Sequence, residues 1–138
     1  MTDTPYALHP IGRVASSLRE LDHAPKQGSE GGPEGWLEFD DEVAAGLQDL
    51  APGDEIVVLT WLHLARRDVL SVHPRGDQDQ PERGVFSTRS PHRPNPIGLH
   101  RVAITAVEPG RLRVAPLEAV DGTPVLDVKP VRTHARDD

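Results

Sequence analysis

The chain has 138 residues, a mass of 15.1 kDa and a formal net charge of −7 with a sequence pI near 5.4, which leaves room for one domain whose core needs no covalent staple. Cysteine is absent, which excludes a disulfide framework, a thiolate nucleophile and a Cys-ligated zinc site. No apolar run approaches the roughly 18 residues of a membrane span and MTDTPYALHP lacks a signal-peptide core, so the sequence predicts a cytoplasmic single domain over residues 1–138, with its core at about 8–131 and frayed ends.

The predicted elements are mostly strands. Residues 11–14 form a short one, and a Gly-rich loop at 21–33 leads to the alternating WLEF at 36–39. Residues 41–50 have helical spacing: Asp40 or Asp41 can cap the segment, Val43, Leu47 and Leu50 share a face, and Pro52-Gly53 ends it. IVVLTWLHL at 56–64 is the longest apolar run and is expected to be a central strand buried on both faces. A loop over 66–83 follows, then β-prone residues at 85–88, 102–107, 112–114 and 125–128, with Pro109-Gly110 and Asp121-Gly122 as turns. Fourteen prolines, about twice the usual share, argue against a helical bundle. Seven short strands punctuated by turn residues predict an all-β barrel or sandwich with one short helix and long loops.

Charge supplies the first functional clue. Of the 22 acidic residues, none falls between positions 83 and 107, where Arg83, Arg89, Arg93 and Arg101 sit with His92 and His100. Guanidinium forks concentrated in this way suit a carboxylate or phosphate. They equally suit ion pairs with acids elsewhere in the fold. A generic nucleic-acid binder is basic, so the overall charge requires any RNA contact to be local. Neither a glycine-rich dinucleotide fingerprint nor a phosphate-binding P-loop occurs. The seven histidines lack metal-binding spacing, so no metal is expected.

Two segments stand out. TRSPHRPNPIGL at 88–99 has three prolines in six residues, which fix φ and remove three backbone donors. The segment cannot be a central strand, and a stiff loop is a good mount for ligand-holding side chains. DGTPVLDVKP at 121–130 sets a turn and then a strand, on which Asp127 and Lys129 face one side and can pair.

Together RGVFSTRSPHRPNPIGL at 83–99 and DGTPVLDVKP at 121–130 resemble the TrmO (TsaA-like) family of S-adenosylmethionine-dependent tRNA methyltransferases, with supporting similarity at Pro10-Ile11-Gly12-Arg13 and Pro25-Lys26-Gln27-Gly28. The resemblance implies a small β-barrel acting as a homodimer and, as activity, N6-methylation of threonylcarbamoyladenosine beside the tRNA anticodon. Carried over by residue, the S-adenosylmethionine positions are Lys26, Gln27, His63, Leu64, Arg89, Leu99, Ala115, Pro116, Leu117 and Glu118. Arg93, Asn95 and Lys129 are candidates for holding the substrate, and Asp121 or Glu118 for taking up the proton released by the attacking nitrogen. The chain departs from the family at Glu118, where many members have Asp, and at Val131, where Tyr is frequent. A small-molecule methyl acceptor and a non-catalytic cofactor-binding module are the alternatives.

Overall fold

A computed structural model describes residues 5–19 and 33–131. Among the described residues there are eight strands: β1 (Gly12–Ala15), β2 (Gly35–Phe39), β3 (Glu55–Trp61), β4 (Ser71–Val72), β5 (Arg83–Gly84), β6 (Ile97–Glu108), β7 (Arg111–Ala115) and β8 (Pro124–Pro130). Six of them close a barrel in the order β1-β2-β7-β6-β3-β8, with every neighbouring pair antiparallel and β8 returning to β1. The expectation of a small barrel therefore holds. Among the described residues no helix is long and apolar enough to cross a membrane.

The barrel forms because alternate residues can be buried on a single inner face. Leu37, Ile56, Val58, Ile104, Leu112, Val114 and Val125 are each at most 1% exposed and fill the interior. Leu117, from the segment after β7, completes the packing and is fully buried. At about 25 cal/mol per Å² of apolar surface removed from water, this interior is the main favourable contribution to folding.

Four expectations need correction. The 41–50 helix is a 3-10 helix over Asp41–Leu47, because so short a segment closes too few hydrogen bonds to offset α-helix nucleation. Its Val43 and Leu47, with Leu50 beyond it, still pack half-buried against the core. β3 is not buried on both faces: Ile56, Val58 and Thr60 point inward while Val57, Leu59 and Trp61 are half-buried outside, as a single-walled barrel requires. Residues 85–88 make a 3-10 turn over Val85–Ser87 instead of a strand, and β4 and β5 pair as a small hairpin inside the predicted loop.

The fourth correction positions the site. β6 begins at Ile97, five residues before the expected strand, because its backbone pairs with Trp61, Thr60 and Leu59 of β3 from that residue on, with its apolar side chains there facing outward. Ile97 and Leu99 are exposed, and Gly98 and His100 occupy the inward register opposite Thr60 and Val58 of β3.

Candidate functional site

At the end of the barrel where β3 stops and β6 starts, residues 62–68 and 85–96 come together. Pro91, Pro94 and Pro96 donate no backbone hydrogen bonds, so this loop cannot join a ladder and side chains hold its carbonyls instead. Arg93 does most of this: its guanidinium donates to the carbonyls of Thr88 at 3.1 Å, Ser90 at 2.9 Å and Val85 at 2.7 Å. Arg67 donates to the Pro94 carbonyl at 2.7 Å and to Asn95 Oδ1 at 3.1 Å, and lies 5.0 Å from the Trp61 ring centre. The Leu62 amide reaches the Pro96 carbonyl at 2.7 Å, and the Arg66 amide donates to His92 Nδ1 at 3.0 Å.

This brace frames a cavity of about 890 Å³ whose wall includes His73, Arg83, Arg89, His92, Leu99 and Glu118. A second cavity of about 480 Å³ runs on along β6, lined by Glu55, Arg101, Ala103, Ala115, Pro116 and Glu118 among others. The two share Leu99, His100 and Glu118, so they adjoin along these three residues. Arg101 is neutralised by Glu55 at 2.8 Å. Arg83 and Arg89 form no ion pair among the described residues, so they give the larger cavity a cationic rim facing a single carboxylate.

That carboxylate is unusual. Glu118 is half-buried, and its Oε1 is shielded from solvent with no hydrogen-bond partner among the described residues. Burial pushes its pKa up from the ordinary carboxyl value. A buried acceptor left unpaired costs about 1–3 kcal/mol and calls for a partner that binds there. His100, in the same shared lining, has its Nε2 2.8 Å from the Thr60 hydroxyl, and burial pulls the imidazole pKa down to about 4. Gly98 is required beside this pair, because a Cβ there would fall onto the Thr60 hydroxyl and lie 2.8 Å from His100 Nε2.

The structure gathers some of the sequence-predicted residues and separates others. Arg89, Leu99, Ala115, Pro116 and Glu118 all line the joined cavities. Arg93 is at the wall too, but as the staple just described, and Asn95 is held by Arg67. His63 and Leu64 are exposed on the segment after β3 and line neither cavity. Leu117 is core, and its amide is committed to the Pro33 carbonyl at 2.7 Å. Asp121 sits elsewhere: one oxygen accepts from the Ser16 amide at 3.0 Å and the other pairs with Arg19 at 3.1 Å, so it braces a turn. Lys129 pairs with Asp127 at 3.5 Å on the outer wall, as its spacing predicted, and lines neither cavity. Lys26 and Gln27 lie outside the described residues. Sequence reasoning missed His100, Thr60, Arg67 and His73. The usable signal for the first two was the register, which sets His100 and Gly98 on the inner face of β6.

Residues 13–136 match the family description "tRNA-methyltransferase O N-terminal domain". An S-adenosyl-L-methionine-binding protein of Archaeoglobus fulgidus is 47% identical over 122 residues, covering 88% of this chain and 86% of its own. A probable S-adenosyl-L-methionine-binding protein of Methanothermobacter thermautotrophicus is 44% identical over 131 residues, covering 94% and 93%. Among solved structures, TrmO from Pseudomonas aeruginosa is similar with a TM-score of 0.75 at 30% identity, and a second TrmO structure with 0.78 at 32%. This chain is covered to 96% in both comparisons but spans only 58% and 60% of those two chains.

Proposed function

This chain belongs to the tRNA-methyltransferase O family, and on that premise we propose that it is an S-adenosylmethionine-dependent methyltransferase. One observation carries the reading: a proline-stiffened loop, an arginine unpaired among the described residues and a buried unpaired carboxylate converge on two joined cavities at one end of the barrel. Those groups fit the cofactor. Arg89 suits its carboxylate as a charge-assisted fork, Leu99 offers apolar cover to a base, and Glu118 Oε1 accepts a hydrogen bond from an N–H group. When bound, the cofactor supplies a methyl group activated by a sulfonium leaving group. The chain's part is then alignment of donor and acceptor and exclusion of water. Proline and guanidinium bracing suit that task, because they hold the wall without a ligand present.

The acceptor proposed is the N6 position of threonylcarbamoyladenosine in tRNA, in the cytoplasm, with Arg83 on the cavity rim left to meet phosphate. The chain works as a homodimer, a reading supported by Leu64, Leu70 and Phe86, which are 51%, 67% and 78% exposed on the segments framing the larger cavity. The net charge of −7 favours a second acceptor class, a small metabolite that needs no polyanion contact. Transfer of labelled methyl from S-adenosylmethionine into total tRNA, with and without the threonylcarbamoyl modification, separates the two. Label confined to the modified pool supports the tRNA reading, and its affinity should then fall steeply with salt. Cofactor binding with no label in either pool moves the acceptor to a small molecule. Arg89→Ala should weaken cofactor binding by about 1.5–3 kcal/mol by calorimetry, and a change of a few tenths would remove Arg89 from the site.

A further inference from the structure

Both cavities are lined by one unpaired acceptor and by an imidazole whose donor can be assigned. Thr60 is fully buried, and its hydroxyl has no partner among the described residues other than His100 Nε2 at 2.8 Å. Regular alternation along β3 points Thr60 into the interior, where it pairs with Gly98 of β6. Were Nε2 the protonated nitrogen, the Thr60 hydroxyl hydrogen would be buried with nothing to receive it, at a cost of about 1–3 kcal/mol. The hydroxyl therefore donates to Nε2, and the neutral imidazole carries its hydrogen on Nδ1. Neutrality follows from the low pKa of about 4. Nδ1 has no hydrogen-bond partner among the described residues, as Glu118 Oε1 has none, and both side chains line both cavities.

We propose that His100 and Glu118 together read the amino edge of the cofactor's adenine: Glu118 accepts from the exocyclic amino group while His100 Nδ1–H donates to the neighbouring ring nitrogen. The inference rests on the cofactor reading above and adds the residues that choose the base. One acceptor and one donor in a shared lining make a pair that matches 6-aminopurine. It mismatches a 6-oxopurine, whose oxygen would face the carboxylate. It also mismatches the zwitterionic tail, whose carboxylate prefers a cation to a neutral imidazole. Gly98 and Thr60 act through His100 by fixing its tautomer and place.

Calorimetry with S-adenosylhomocysteine and S-inosylhomocysteine tests this on four proteins: the wild type, His100→Leu, His100→Asn and His100→Gln, each checked for folding by its thermal transition. The asparagine amide nitrogen falls where His Nδ1 lies, and the glutamine nitrogen where Nε2 lies. The wild type should prefer the adenosyl compound by at least about tenfold. His100→Leu and His100→Gln should lose about tenfold in affinity for it together with most of the preference, and His100→Asn should keep both. The 15N spectrum of the wild-type imidazole should show a pyrrole-type Nδ1 and a pyridine-type Nε2 at pH 7. Equal binding of the two compounds by the wild type, an Asn variant as weak as the Leu variant, or a protonated Nε2 each overturns the proposal while leaving the cofactor reading intact. A wild type that binds neither compound overturns the cofactor reading itself, and this one with it.

Discussion

The barrel and the rim that crowns it are stabilised by opposite means. In the barrel, backbone ladders satisfy the peptide groups and apolar side chains fill the interior. In the rim, three prolines have removed the ladder donors, and the guanidinium groups of Arg93 and Arg67 supply what is missing. A binding loop can thus be rigid without belonging to the sheet, provided the same segment supplies side-chain donors for its own carbonyls. The arginines of the acid-free window divide accordingly: Arg93 serves structure, Arg101 pairs with Glu55, and Arg83 and Arg89 face the cavity without an acidic partner among the described residues.

The division can be broken from either side. The largest effect is expected in the barrel, where Leu112→Ala removes a fully buried side chain at the interior and should cost about 2–5 kcal/mol in urea unfolding, with the rim lost only as the whole domain unfolds. Next comes acid. His100 stays neutral in the fold down to about 4, whereas the unfolded chain protonates near the ordinary 6.5. Its contribution to stability is therefore lost as pH falls from 6.5 towards 4, by about 3 kcal/mol. Glu118 acts with the opposite sign, because its raised pKa lets the native state hold a proton first, so its contribution grows as pH falls. Denaturant titrations across that range should show a declining acid limb, and His100→Leu should flatten it.

Arg93→Ala tests the rim. It should cost about 2 kcal/mol globally and raise amide exchange across 85–93 while β3 and β6 keep their protection. Equal loss of protection in the barrel strands would show that the two regions are not separable. The smallest effect is expected on the outer wall, where Lys129→Ala breaks an exposed pair with Asp127. Stability should change by less than about 0.5 kcal/mol and cofactor affinity not at all.

Much of this architecture was legible in the sequence, and the failures share a cause. Period-two alternation located β1, β2, β7 and β8, and proline density marked the rim correctly as loop. The start of β6 escapes this reading, because Ile97 and Leu99 follow the proline-rich segment and read with it as loop, whereas they open the strand with their side chains exposed. A glycine and a histidine lining a barrel interior break the rule that apolar residues point inward, and they do so beside the cavities. Leu117, implied by the resemblance, and Asp121, chosen for its nearness in sequence, end elsewhere: packing puts the side chain of one in the core and the other on a turn held by Ser16 and Arg19. No local pattern announces that Arg93 faces carbonyls instead of a ligand, since the contact exists only once the loop has folded back on itself.

The return of β8 to β1 has a consequence for how copies of this chain meet. An open sheet ends in two rows of unpaired amides and carbonyls that invite strand addition and fibril growth, and a closed one offers neither. Among the described strands, free edges remain only on the β4–β5 hairpin, two residues to a strand, with Arg83 on one of them. So short an edge, carrying a charge, is a poor template for runaway assembly. Association between copies is left to side-chain surfaces, which mutation can tune without risking the sheet.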